Sequence, residues 1–343
     1  MKKTIKKKTG VKRLILAGDI GGTKSLLGLF EVKDNGIKPI KKMRFRNKDF
    51  GGIEPLLAMF LKKSGCKGVK KAVLAVACPV EDNKGSLTNA GWDIDASLIK
   101  KMLGIKEALL INDLVAVGHS IARLGKKDIV VLQEGVKKAG NAAVIAAGTG
   151  LGEAILFWDG KKHIPFATEG GHADFAPRSP LESRLLTHLT NIYGHVSFER
   201  VVSGQGMCNI YDFLKSDRGA PEPEYLRGKF SSKDPAAVIA DEALSGVDPD
   251  CADAMNIFLS AYGQEAGNLA LKAWAVGGVY VGGGIAPKIL SALKGGLSPV
   301  GGVFSRAFVK KGRFEKTLSN VPIYAIVNED AALMGAAAFA AGL

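Results

Sequence analysis

The sequence predicts an α/β protein organised as two domains, and three observations lead there. Apolar runs of strand length alternate with stretches of helical spacing, which implies a sheet with helices packed against it. At 343 residues and 47% hydrophobic composition, the chain can bury more than one core. Three glycine-rich turns, at Gly21–Gly22, Gly148–Gly152 and Gly282–Gly284, each follow an apolar strand. That repetition points to a nucleotide gripped between two related halves.

Taken in order, the first strong element is LILAGDIGGTKSLLGLF, Leu14 to Phe30, two apolar runs around a Gly-Gly bend. It reads as a β-hairpin. Gly21 and Gly22 let backbone N–H groups approach a ligand, Thr23 adds a hydroxyl and Lys24 a cation. A phosphate suits this turn, and Asp19 suits its metal ion; an ordinary hairpin is the plain alternative. The spacing is neither a Walker A loop nor the dinucleotide fingerprint, both of which need a helix straight after the glycines.

Ile53, Leu56, Leu57, Phe60 and Leu61 fall at helical spacing, with Gly65 placed to end the helix. AVLAVA, Ala72 to Ala77, reads as a strand buried on both faces. Asp95 caps a helix over Ala96 to Leu103, which feeds the strand Ala108 to Ile111. That strand delivers Asn112 and Asp113 to a carboxyl end, where open α/β sheets place their chemistry. A helix from Leu114 to Leu124 follows, so Asp113 reads either as a general base favoured by the helix dipole or as a plain N-cap.

A second hairpin, AVIAAGTGLGEAILFW, spans Ala143 to Trp158, and a third glycine-rich strand end is VYVGGGIAP, Val279 to Pro287. Ser179, Pro180 and Glu182 make an S-x-x-E capping box for a helix ended near Gly194. Asp234-Pro235 and Asp248-Pro249 announce two more helices, the second reaching toward Trp274. Pro, Gly and charge mixed over residues 216–233 predict an exposed loop with no catalytic work. Apolar residues on more than one face of Met255 to Trp274 leave room for a homodimer contact.

Bulk properties exclude several classes. No apolar run reaches the roughly 18 residues of a membrane span. Cys66, Cys78, Cys208 and Cys251 are dispersed, which favours free thiols in a reducing, cytoplasmic setting over a structural zinc. Of the net charge of +14, half comes from MKKTIKKKTGVKR, with seven cations and no acid. Residues 1–10 therefore read as a basic disordered tail, a solvated arm rather than a specific nucleic-acid or membrane contact. Thirteen residues are also too few for a helix-turn-helix. His119, His163, His188 and His195 have no partner at metal-ligand spacing, and packing accounts for them.

The motifs DIGGTK (19–24), LTNAGWDID (87–95), IND (111–113), GTGLG (148–152), EGGHADFAP (169–177), HVSFERVVSG (195–204) and GGGIAP (282–287) follow one order. It resembles that of the bacterial glucokinase family, from about Leu14 to the end, with Thr168 to Pro177 the most diagnostic block. Related sugar kinases of the repressor, open reading frame and kinase family usually carry a cysteine-rich zinc motif after the EGGH-like block. This chain has none there, so it resembles the separate glucokinase branch.

The resemblance implies an α/β, two-domain actin/hexokinase-like (ribonuclease H-like) fold with a cleft between domains. The expected division is 11–112 plus 329–343 as a small domain and 113–328 as a large one, hinged near Asp113. Also implied is ATP- and Mg2+-dependent phosphorylation of the glucose 6-hydroxyl, the first step of glycolysis. By position, Asp113 matches the catalytic base, Asn112 a sugar-hydroxyl contact, and Glu169, His172 and Glu199 the residues holding other ring hydroxyls. Asn89 lies in a segment bordering the sugar.

For the nucleotide, the resemblance implies phosphate contacts from Gly21, Gly22, Thr23 and Lys24 and from Gly148, Thr149 and Gly150. Gly282, Gly283 and Gly284 would lie near the adenosine, and Asp19 would reach magnesium directly or through water. Plain alternatives stay open. Lys24 also reads as a solvated hairpin charge, His172 as a loop histidine, and Glu199 as favouring the first turn of a helix after Ser197. A kinase for another hexose or an amino sugar, a non-catalytic sugar sensor, and an actin-like ATPase are the rival functions.

Overall fold

The computed structural model describes residues 13–33, 36–295 and 302–342. The expected tail, residues 1–10, lies outside them, as do residues 11–12. The chain divides into two compact units, one reaching Ala122 and taking back the segment from Asp330, the other spanning Arg123–Glu329.

In the first unit, β1 (Arg13–Ile20), β2 (Lys24–Lys33), β3 (Gly36–Arg46), β4 (Val69–Val76) and β7 (Glu107–Asn112) make one sheet, while β5 (Lys84–Leu87) and β6 (Trp92–Asp95) form a separate hairpin. The sheet order is β3-β2-β1-β4-β7: β1 to β3 are antiparallel, and β1, β4 and β7 run parallel. Both faces are covered, which is why β1 and β4 are apolar on successive positions. Leu16, Ile20, Leu74 and Val76 pack with Ile53, Leu56 and Phe60 of the helix Ile53–Ser64 on one side. On the other, Ile15, Ala17, Val73 and Ile111 meet Ala116, Leu333, Ala336 and Ala337.

Those last residues belong to the helices Asp113–Ser120 and Ala331–Ala341. Their axes close to backbone contact, because a Cβ on Gly335 would lie 1.6 Å from the Ala116 carbonyl oxygen. This packing corrects the expected boundary at Asp113. The helix Asp113–Ser120 sits within the first unit, and the division falls after Ala122. The helix is also shorter than expected, passing at Ile121–Arg123 into a 3-10 turn.

The second unit holds a six-stranded sheet of β8 (Ile129–Gln133), β9 (Ala142–Ala147), β10 (Leu151–Trp158), β11 (His163–Thr168), β12 (Gly278–Gly282) and β13 (Ile323–Ile326). Its order is β11-β10-β9-β12-β13-β8, with β9, β12 and β13 parallel. The helix Pro249–Ala273 is buried along its length against this sheet and the helices Gly204–Arg218, Pro235–Ser245 and Val303–Val309. Its several apolar faces are therefore spent inside the unit, which removes the reason for expecting a dimer contact on it. Residues 216–233 are not a loop. They end one helix at Arg218 and form another, Glu224–Phe230, whose Leu226 is fully buried.

Asp95, Ser179, Asp234 and Asp248 each accept a hydrogen bond from the first turn of the helix they start. At Ser179 the box is displaced by one residue: Ser179 Oγ accepts from Glu182 N, but Glu182 Oε2 accepts from Arg178 N at 2.6 Å. Among the described residues, the four cysteines are free thiols and no helix is long and apolar enough to cross a membrane.

Candidate functional site

Parallel pairing puts the carboxyl ends of β1, β4 and β7 on one edge of the first sheet. Asp19 pairs with Ala75, and Ala75 with Ile111, so Asp19 and the Asn112–Asp113 corner lie two strand spacings, about 10 Å, apart along that edge. Asn112 is the cap: its Oδ1 accepts from Leu114 N at 2.9 Å and Val115 N at 3.3 Å. Asp113 is thus the first helical residue rather than the cap, with Oδ1 2.9 Å from Leu114 N. The helix dipole favours its anion. With Asn112 Oδ1 committed to the cap, what that residue still offers is Nδ2, 3.5 Å from the Cys78 carbonyl.

Asp19 faces the same side as Ala17, toward the helix Ala331–Ala341. Burial pushes its carboxyl up to about 6, with Arg44 opposing and Asp330 reinforcing the rise. Beyond it, the Gly21–Gly22 turn is closed by Gly21 N donating to Lys24 O at 3.1 Å. A buried residue that the sequence did not single out, Asn47, clamps this turn. Its Nδ2 donates to Gly21 O at 2.7 Å, its N to Thr23 O at 2.9 Å, and its Oδ1 accepts from Ser25 Oγ at 2.8 Å. Thr23 and Lys24 are exposed. Asn89, in the β5–β6 turn, packs on Gly22, where an added Cβ would lie 2.9 Å from its own Cβ.

In the second unit, residues 169–175 and 195–199 are laced together by the backbone. Phe198 N donates to Ala173 O and Phe175 N to Val196 O, each at 2.9 Å. Glu169, His172 and Glu199 are thereby gathered at adjoining 3-10 turns, Gly170–His172 and Phe198–Arg200. The helix expected after Ser197 is that single turn; the next long helix starts at Gly204 with Ser203 as cap. Glu169 and His172 are exposed, and Glu199 is half-buried with Oε2 accepting from Leu151 N at 2.9 Å. A Cβ on Gly150 would lie 2.4 Å from that Oε2, so this glycine makes room for Glu199.

Gly148, Thr149 and Gly284 line a cavity of about 730 Å3, together with Gln205, Cys208, Asp212, Asp234 and Lys288. Gly204 N, at the start of a 15-residue helix, donates to Gly148 O at 2.9 Å. Gly282 and Gly283 stay out of the lining. Gly283, at φ +84, would carry a Cβ 2.2 Å from Ala147 O, so it serves the close approach of β12 to β9. Glu222 and Phe230, from the segment expected to be an idle loop, also face the cavity.

Behind these turns sits Tyr262, fully buried, whose hydroxyl accepts from Ala147 N at 3.2 Å and lies 3.4 Å from Ile145 O and Gly282 O. Burial holds its phenol protonated. Tyr262→Phe leaves a buried N–H without its acceptor and is expected to cost about 1–3 kcal/mol. Chemical denaturation that finds unchanged stability would remove Tyr262 from this role. No sequence signal marked Tyr262, because the β9 atoms it meets, Ala147 N and Ile145 O, lie more than a hundred residues away.

Among the described residues, no group of three or more His, Cys, Asp or Glu could hold a metal ion by itself. A model of the glucokinase family matches residues 16–343. A glucokinase of Nostoc punctiforme is 40% identical over 345 residues, covering 96% of this chain and 99% of its own. The structure of a glucokinase from an Antarctic psychrotroph superposes with a TM-score of 0.82 at 30% identity, over 96% of this chain and 99% of that one. A glucokinase of the repressor, open reading frame and kinase family from Streptomyces griseus, solved with glucose and AMPPNP, shares the fold at TM-score 0.65 and 19% identity, over 96% and 100%.

Proposed function

The chain belongs to the glucokinase family, and from that premise we propose that it transfers the γ-phosphoryl group of ATP to the glucose 6-hydroxyl with Asp113 as base. Hexose phosphorylation is the family's reaction; the donor, the metal and the residue roles are the proposal. The observation that carries it is the Asn112–Asp113 corner. Asn112 takes the capping duty, so the Asp113 carboxylate is held at a helix N-terminus without being the cap. An anion so placed can accept the proton of a hydroxyl as its oxygen attacks phosphorus.

Glu169, His172 and Glu199 suit a sugar because carboxylates and an imidazole select hydroxyls by hydrogen-bond direction. Glu199, anchored by Leu151 N, is the most rigidly placed of the three. The cavity lined by Gly148, Thr149 and Gly284 suits the nucleotide: glycine turns leave room for phosphate to approach the backbone, and Met207, Ile239 and Ile289 add apolar wall. The Streptomyces griseus structure supports ATP, since AMPPNP is its analogue.

Asp19 fits a magnesium ion carried in by the nucleotide. It is a half-buried carboxylate whose proton affinity is raised by burial and by Asp330 and only partly offset by Arg44, a state that a bound cation would relieve further. The ion would offset charge on the β- and γ-phosphates. A cytoplasmic location is proposed from the free thiols. We keep a homodimer in the proposal, placed at the edge strand β11, where Ile164 and Phe166 are exposed beside Phe157.

Coupled assays with glucose, mannose, fructose and N-acetylglucosamine, each with ATP, ADP or polyphosphate, test the reading. Glucose with ATP and magnesium is expected to turn over fastest. Weakest turnover on glucose would defeat the substrate assignment, and sugar binding without phosphate transfer would turn the protein into a sensor. Sedimentation at micromolar concentration checks the dimer.

A further inference from the structure

Beneath the turn Gly170–His172 lie two buried carboxyl groups that the reaction does not use. Glu153 of β10 is 2% exposed, and Glu265 of the helix Pro249–Ala273 is 0% exposed. Glu153 reaches the underside of the turn, since a Cβ on Gly170 would lie 2.0 Å from its Oε2. Its Oε1 is buried with no donor, while Glu265 stands within hydrogen-bond reach. Two carboxylates that close, out of water, need a proton between them. Glu265 takes its other bonds from Asn268 Nδ2 at 2.8 Å and Lys272 Nζ at 3.3 Å, so one cation faces the pair directly.

The same helix holds the rest of the loop. Gln264 Nε2 donates to Ala176 O at 2.6 Å, and Ser260 Oγ donates to Glu182 Oε1 at 3.1 Å, whose other oxygen holds Arg178 N. Residues 170–178 therefore rest on the helix Pro249–Ala273 at three points, and only the Glu153–Glu265 support can change charge through a shared proton. We propose that Glu153 and Glu265 act as one acid–carboxylate unit, sharing a single proton, that positions the Gly170–His172 turn for glucose. Loss of the proton to solvent places two anions beneath the turn against Lys272 and loosens the hold on the sugar. The proposal rests on the reading that Glu169 and His172 bind glucose.

Burial, then the Glu265 charge, push the Glu153 carboxyl far above the usual carboxylate range, to about 8, with Lys272 opposing. Burial raises Glu265 as well. The charged and titratable groups around them are few. Helix Pro249–Ala273 brings Lys272 and Tyr262, with Lys311 and Arg178 behind Glu265. Strand β9 brings none, β11 brings His163 at the far end opposite Trp158, and the loop brings His172 with Glu169 before it. Burial pushes Lys311 down to about 8, so it titrates in the same window and is the competing source of any pH effect.

Steady-state kinetics across that window decide it. In the wild type, KM for glucose is expected to rise roughly ten-fold from about pH 7 to about pH 9, with kcat nearly constant. Glu153→Gln keeps the shape and a donor without the titration, and should flatten the KM profile. A flat wild-type profile overturns the proposal. So does a Glu153→Gln profile that superposes on the wild type, which assigns the titration to Lys311. Glu265→Gln is the second variant with the same expected flattening; if neither isostere folds, the pair serves the fold rather than the turn, and the proposal fails. Absence of glucose turnover by the wild type near neutral pH would instead sink the glucokinase reading, and calorimetry of glucose binding across the same range would still test the pair.

Discussion

Asp113→Ala is expected to lower kcat by roughly three orders of magnitude or more, the scale of a lost general base and its positioning. Glucose affinity and the unfolding midpoint should change little, and the structure says why. Asn112 carries the cap through Leu114 N and Val115 N, so the helix Asp113–Ser120 keeps its first-turn acceptor when Asp113 is truncated. Truncation removes a favourable charge near the helix N-terminus, typically about 0.3–1 kcal/mol, and one of two acceptors for Leu114 N, the other being Asn112 Oδ1. Asn112→Ala is the informative contrast, because it removes the cap and should lower stability as well as rate. Single-turnover kinetics with parallel calorimetry of glucose binding separate the two. An Asp113→Ala enzyme with near-normal kcat would end the base assignment, and one that loses glucose binding outright would make the residue a sugar ligand first.

The parts of this molecule that sequence made legible are those specified by neighbours along the chain. The hairpin over Leu14–Phe30, the strands before the second and third glycine turns, and the caps at Asp95, Asp234 and Asp248 all emerge where the local pattern puts them. Edge strands were harder: β3, which is exposed on most positions, and β8 carry no clean alternation. Residues 216–233 misled because Pro and Gly outnumber the single buried leucine that seats the short helix. Asn47, Tyr262, Glu153 and Glu265 stayed hidden for another reason. Each acts on backbone brought near by sheet pairing or helix packing, and nothing in NKD, AYGQE or GLGEA distinguishes such a residue from a surface one. Glycine motifs were visible as motifs but not by duty: Gly150 makes room for Glu199, Gly283 for β9, and only Gly148 and Gly284 of those expected at the nucleotide face the cavity without such a duty.

Gly335→Ala, more than thirty residues from any motif, is expected to have the second largest effect. The added methyl would lie 1.6 Å from the Ala116 carbonyl oxygen and 3.1 Å from Ser120 N, both backbone atoms of the helix that Asp113 begins. No rotamer change relieves a clash with backbone, so the helices Asp113–Ser120 and Ala331–Ala341 must separate by more than an ångström. Overpacking of this kind costs about 3 kcal/mol at the upper end of its usual range. A base displaced by about 1 Å loses roughly a hundred-fold in rate. The variant should therefore lose stability and kcat together, whereas Asp113→Ala loses kcat alone. Gly51→Ala is the control, since nothing lies within 4 Å of its added Cβ, and it should change neither. Guanidinium unfolding and kcat are to be measured on all three. A Gly335→Ala protein that matches the wild type in both would mean that the two helices do not pack backbone to backbone, and that Asp113 is held by something other than this contact.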